Sequence, residues 1–251
     1  MNCGLVFVNP RPLQDELIEA YGNAVDEDHS VEPDLRIRSF IRAMNKVVSQ
    51  LPGLSPSMGL RLVDIGCAGG EFPSAAAGLG FDVVAYEPSL YLSSIGRARY
   101  GLDIRTGTFN ASDFQAGDVD LVTMWDVLEH LDEPSTILME IAEVLKNGGY
   151  LLLNVPMVDT VSARTLRRLW PFYLEVHLYY FTRMTLKKYL NKYGFEIVYE
   201  ASYSQTLGTR YLIRRATSSR IRKFWPNFPL RYKMGQRTIV ARRDVVTSTL
   251  G

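Results

Sequence analysis

Between residues 34 and 51 apolar side chains recur at Ile37, Phe40, Ile41, Met44, Val47, Val48 and Leu51. This three-and-four spacing predicts one face of a helix packed on a larger body. Residues 52–59, rich in Pro, Ser and Gly, read as a linker. From Leu60 the period changes. Short apolar runs predict strands over Arg61–Ile65, Asp82–Glu87, Asp103–Thr106, Val119–Trp125 and 150–155, with helices between them over Glu71–Leu79, 89–100 and 134–145. Gly148-Gly149 is expected to cap the last of these. Strands alternating with helices imply right-handed crossovers and a parallel sheet buried on both faces, so the expected class is α/β in three layers, α-β-α. Past Val155 the alternation breaks. A helix over 185–193, stopped by Gly194, leads into a strand over 195–199, and a final strand over 237–241 follows a basic stretch. With no helix between them, these two strands are expected to pair antiparallel at the sheet edge, bringing the total to seven.

Composition narrows the class. The chain has 251 residues, 47% of them hydrophobic, and two cysteines, Cys3 and Cys67, which exclude a disulfide scaffold. No apolar run approaches the roughly 18 residues of a membrane span, and Leu5-Val6-Phe7-Val8 is too short for a secretory segment. A cytoplasmic location is the expectation. The net charge of +1 conceals a division: residues 1–200 carry 17 basic and 26 acidic side chains, whereas 201–251 carry 11 basic and one acidic, Asp244.

The most informative stretch is Leu62-Val63-Asp64-Ile65-Gly66-Cys67-Ala68-Gly69-Gly70-Glu71-Phe72, a strand entering a turn of small residues and then a helix. Ligands in open α/β sheets bind at the carboxyl ends of strands, and small side chains let backbone approach them. The next strand ends in Glu87, placed to accept hydrogen bonds from both hydroxyls of a ribose. A dinucleotide fingerprint needs G-x-G-x-x-G, but counting from Gly66 puts Ala68 and Glu71 at the second and third glycine positions, so an acidic side chain would face a pyrophosphate. That disfavours a nicotinamide or flavin cofactor.

The pattern Asp64-x-Gly66-x-Ala68-x-Gly70 instead resembles the first motif of the class I S-adenosylmethionine-dependent methyltransferases. The resemblance continues through 118–131, similar to their fourth-strand segment, and through Lys146-Asn147-Gly148-Gly149-Tyr150-Leu151, similar to their turn into strand five. The run from Glu175 to Thr182, containing His177 and Phe181, resembles a late segment of the subgroup that includes quinone-biosynthesis and surface-polysaccharide methyltransferases. The matches cover about 60–200. The resemblance implies a Rossmann-like seven-stranded sheet, mostly parallel with an antiparallel final hairpin, and S-adenosylmethionine as cofactor. By the same resemblance Asp64, Gly66, Ala68 and Gly70 line the methionine and ribose part of the cofactor, Glu87 holds the ribose hydroxyls, Phe109 flanks the adenine, and Trp125 and Asp126 lie beside the methionine end. Phe109 and Trp125 also read as core aromatics. Ala68 stands where most members have Gly; a position needing positive φ costs an alanine about 1 kcal/mol or more.

An oxygen nucleophile must lose a proton, and His is the side chain best matched to that task near neutral pH. Of the three histidines, His29 lies in an acidic, solvated stretch. His130, at the end of the fourth strand segment, and His177 are the base candidates, each with the alternative of a structural histidine bonded to backbone. No His, Asp or Glu cluster has metal-ligand spacing in the sequence, so a metal-free mechanism is expected.

Residues 1–59 are read as an N-terminal strand and helical extension, with Cys3-Gly4-Leu5 onward resembling the strand after a zinc ribbon whose other cysteines are missing. Residues 60–251 are read as the methyltransferase domain with a basic insertion at about 206–236. That insertion interleaves arginines with Trp225, Phe228 and Tyr232, which reads as a solvated segment, a peripheral contact with anionic lipid, or least favourably a nucleic-acid contact. The expected reaction is O-methylation of a small or lipid-linked metabolite. The alternatives are C-methylation of a sugar or polyketide, a catalytically silent binding module, and a nicotinamide-dependent oxidoreductase.

Overall fold

The computed structural model describes residues 4–12, 16, 19, 20, 22, 32–174, 176–210 and 226–244. Cys3, His29, Glu175, Trp225 and the centre of the basic insertion lie outside the described residues. In chain order the elements are β1 (Val6–Phe7), α1 (Pro33–Gln50), β2 (Arg61–Ile65), α2 (Glu71–Leu79), β3 (Asp82–Glu87), α3 (Leu90–Tyr100), β4 (Asp103–Thr106), β5 (Val119–Trp125), α4 (Pro134–Val144), β6 (Leu145–Pro156), α5 (Val161–Leu166), β7 (Tyr179–Tyr180), α6 (Arg183–Lys192), β8 (Phe195–Ser202), β9 (Gln205–Gly208), β10 (Pro229–Tyr232) and β11 (Gln236–Arg243).

Alternate residues of the central strands bury on opposite faces. Leu62, Leu121, Leu152 and Val240 pack with Met44, Val47, Phe72 and Ala76 of α1 and α2, whereas Val63, Val122, Met124, Leu151 and Leu153 pack with Leu138 and Ile141 of α4 and Leu186 and Leu190 of α6. Burial on both faces is why these strands read as unbroken apolar runs. The sheet order is β4-β3-β2-β5-β6-β11-β8. Its first five strands are parallel, and β11 inserts antiparallel between β6 and β8. This is the expected three-layer Rossmann-like class, with the expected antiparallel closing pair. Between β8 and β11 the chain forms a separate antiparallel pair, β9 with β10.

Local chemistry explains several element ends. Ser89 caps α3 by accepting from the Leu92 amide at 3.2 Å, and Thr182 and Thr185 form a reciprocal capping box at α6. Pro33 begins α1, where its missing N–H costs nothing. Two expectations need correction. Gly148-Gly149 do not cap α4, which ends at Val144 with Leu145 already extended. Strand pairing wins there: Val119 pairs with Leu145 and Leu121 with Tyr150, so residues 146–149 bulge out of β6. Gly148 takes φ +76, and a Cβ on Gly149 would meet the Lys146 carbonyl oxygen at 2.9 Å. Residues 52–59 are not a free linker either, because they coil into two 3-10 turns that bury Leu54 completely. Among the described residues no helix is long and apolar enough to cross a membrane.

Candidate active site

The turn after β2 is stitched to β3, since the Gly66 and Cys67 amides both donate to the Tyr86 carbonyl, at 2.8 and 3.0 Å. Gly66, Ala68 and Gly70 all have positive φ: +74, +48 and +87. A Cβ at Gly66 would meet Val127 Cγ2 at 2.6 Å, and one at Gly70 would meet Ile104 Cδ1 at 2.9 Å. Glycine is therefore required at both for packing as well as conformation. Ala68 carries its Cβ in the left-handed region, a conformation that costs an L-residue about 1–2 kcal/mol.

Glu87 holds that strained turn. Its Oε2 accepts from the Ala68 amide at 2.8 Å and its Oε1 from the Ser89 amide at 2.9 Å. At the end of the neighbouring strand, Asp64 is buried and its Oδ1 accepts from the Thr123 hydroxyl at 2.5 Å. Burial pushes the Asp64 carboxyl well above its usual range; the Thr123 bond opposes this, and the nearby Glu87 charge adds to it.

Asp126 stands just past β5 with φ +57. Its Oδ1 accepts from the Asn154 amide at 2.9 Å and its Oδ2 from the Gln236 amide at 2.5 Å. Burial pushes Asp126 up to about 6, and the two amide bonds oppose that shift. Beside it, the Trp125 ring packs 4.9 Å from Phe72, 5.0 Å from Phe40 and 5.4 Å from Tyr203. Its buried Nε1 has no hydrogen-bond partner among the described residues.

These groups converge on a cavity of about 210 Å³. Of the residues assigned to the cofactor from the sequence, Asp64, Gly66, Ala68, Trp125 and Asp126 line it. Gly70, Glu87 and Phe109 do not line it. Gly70 faces α3 and β4, Glu87 is turned onto the turn backbone, and Phe109 is a core ring 5.5 Å from Tyr86 and 6.1 Å from Phe114. Cys67 of the turn, together with Arg36, Phe40, Glu71, Phe72, Tyr203 and Gln205, completes the lining, and none of these was assigned a site role from the sequence. Arg36 left one trace there, a charge on the apolar face of α1; Tyr203 and Gln205 left none.

His130 and His177 come together beyond β5, with ring centroids 4.6 Å apart in an edge-to-face arrangement. His130 Nδ1 lies 3.0 Å from the Val176 carbonyl, so a proton on Nδ1 leaves Nε2 as the acceptor. Burial pushes His130 down to about 4. Glu129 is fully buried beside them, with no hydrogen-bond partner for either carboxylate oxygen among the described residues, and burial together with the Asp126 charge holds it well above its usual range. One ligand atom from each of Glu129, His130 and His177 lies within 4.8 Å of the others, near enough to hold a metal ion. Sequence spacing did not reveal this cluster because His177 arrives from a separate segment. Neither histidine lines the 210 Å³ cavity.

A family model described as a methyltransferase domain matches residues 36–200. The chain belongs to this class I methyltransferase family. A ubiquinone biosynthesis O-methyltransferase of Caulobacter sp. (strain K31) is 33% identical over 144 residues, 54% of this chain and 57% of that protein. This methyltransferase chain thus spans about half the length of the curated relatives it matches. Magnesium protoporphyrin IX methyltransferase from Synechocystis, solved with bound S-adenosylhomocysteine, shares the fold with a TM-score of 0.53 at 21% identity, covering 92% of this chain and 94% of that one. An S-adenosylmethionine-dependent methyltransferase from Mesorhizobium loti gives 0.52 at 19%, covering 81% and 95%. The residues matched by the methyltransferase model include the turn after β2 and Asp126, and exclude Tyr203, Gln205 and Gln236.

Proposed function

We propose that the chain is an S-adenosylmethionine-dependent methyltransferase acting on an oxygen of a small or lipid-linked metabolite. The observation that carries this reading is the cavity at the carboxyl ends of β2 and β5, where the small-residue turn, Asp64 and Asp126 meet the unpartnered Trp125 Nε1. The residues fit the cofactor. Arg36, the one cation lining the cavity among the described residues, suits a carboxylate, and Asp64, Glu71 and Asp126 suit an ammonium and a sulfonium. Glu87 suits the ribose hydroxyls once it exchanges its bond to the Ala68 amide for them.

When bound, S-adenosylmethionine supplies a methyl group on a positively charged sulfur, transferred as the S–C bond breaks and an O–C bond forms. The chain's part is largely to orient the acceptor oxygen and take its proton. Asp126 lines the cavity and is pushed up to about 6, whereas His130 lies off it and is pushed down to about 4. These facts favour Asp126 over His130 and His177 as the proton acceptor. Peripheral membrane contact through 206–236 is supported by Phe228 and Leu230, 62% and 49% exposed beside Arg231.

Thermal unfolding tests the reading. S-adenosylhomocysteine should raise the unfolding temperature and NAD should not; stabilisation by NAD alone would sink it. Sedimentation with anionic vesicles at low and high salt tests the membrane contact, which must weaken as salt screens it.

A further inference from the structure

We infer that a second, larger cavity is the acceptor site of the reaction proposed above, and that it takes an acceptor bearing a carboxylate or phosphate group. The inference rests on that reading of the reaction. This cavity, of about 710 Å³, falls within the roughly 300–1,000 Å³ of small-molecule sites. It opens between α5, the end of β8 and the start of β11. Because β11 runs antiparallel, its first residues lie at the same carboxyl edge as the end of β6, where ligands of open α/β sheets bind.

The two cavities meet at one hydrogen bond. Gln236 lines the larger cavity, Asp126 lines the smaller, and the Gln236 amide donates to Asp126 Oδ2 at 2.5 Å. A molecule filling the larger space therefore abuts the groups that flank the proposed methyl donor.

Charge indicates what fills it. Arg183, Lys233 and Arg237 stand against Asp159 and Glu200 in the lining. Glu200 is shared by Arg183 and Arg237, the latter with Nε 2.9 Å from Oε1. Asp159 accepts from the Arg183 amide at 3.0 Å. Lys233, exposed at the cavity wall, has no acidic partner among the described residues, which leaves the lining one positive charge in excess. Met157, Val161 and Leu166 supply apolar lining. An apolar body with an anionic end at Lys233 matches this distribution.

The test uses the full chain at low salt, titrating benzoate, phenyl phosphate, inorganic phosphate and neutral benzamide by calorimetry. Benzoate or phenyl phosphate should bind at least about tenfold more tightly than benzamide, the contribution of one charge-assisted hydrogen bond. Which of the two binds better separates a carboxylate from a phosphate acceptor, and inorganic phosphate alone should bind weakly because it leaves the apolar lining uncovered. Lys233→Gln, at an exposed position, should keep the wild-type unfolding temperature and lose the preference. Benzamide binding as tightly as both anions overturns the inference, as does an anion preference that survives both Lys233→Gln and Arg183→Gln. Wild type is titrated separately with S-adenosylhomocysteine. Anion binding without it supports the site while the cofactor reading fails; cofactor binding without an anion preference overturns the site alone.

Discussion

The side chains of Gln236 and Asp126, 110 residues apart, meet in a hydrogen bond of 2.5 Å that joins the last strand of the sheet to the end of β5. Asp126 is half-buried, and the amides of Gln236 and Asn154 offset the desolvation of its carboxylate. Gln236→Leu should therefore destabilise the fold by about 1–3 kcal/mol in urea unfolding and reduce methyl transfer more than cofactor binding. Unchanged stability would mean that the bond contributes nothing.

Asp126 also sets a pH dependence. Its carboxyl is raised from 3.8 to about 6 in the folded chain, so its contribution to stability is fully present below the lower value and lost as pH rises through the upper one. Between about pH 4 and pH 7, wild type should lose up to about 3 kcal/mol relative to Asp126→Asn. Parallel stability curves for the two proteins would place the Asp126 titration elsewhere.

Ala68 pays a conformational cost at φ +48 that glycine does not. Ala68→Gly should bind S-adenosylhomocysteine more tightly and gain up to about 1 kcal/mol in stability, whereas Ala68→Val should weaken both. Calorimetry on the pair checks this, and weaker binding by the glycine variant would show that the Cβ is useful.

Glu87 bonds the backbone at Ala68 and Ser89. Glu87→Ala should cost about 2–3 kcal/mol and abolish stabilisation by S-adenosylhomocysteine; Glu87→Gln, which keeps one acceptor, should recover part of the stability. Retention of full cofactor binding by Glu87→Ala would remove the ribose role.

The two histidines lie off the 210 Å³ cavity. His130→Ala and His177→Ala should each keep turnover within about tenfold of wild type, whereas Asp126→Asn should lose about 10²–10⁴, the range for a positioned general base. A folded His130→Ala protein with no turnover would return the role to the imidazole.

Local pattern alone was enough for β2, β3, β4 and β5, whose limits coincide with the predicted ones, because strands buried on both faces announce themselves as short apolar runs between helical stretches. The turn from Gly66 to Gly70 was equally legible, since the glycines meet conformational and packing demands within a few residues. The bulge at 146–149 was not, because a GlyGly after a helix reads as a cap until the pairing of Leu145 with Val119 is known.

The sequence by itself determined the α/β layering, the small-residue turn after β2 and the membership in the methyltransferase family, all of which reside in periodicity and contiguous motifs. Only the tertiary structure decided that Trp125 faces the cavity while Phe109 fills the core, that His130 meets His177 and Glu129, and that Arg36, Tyr203 and Gln236 join the site. The reason is the strand order. Inserting β11 between β6 and β8 brings Gln236 to the carboxyl edge of the sheet, and the packing of α1 on α2 and β9 brings Arg36 there; no local spacing encodes either approach.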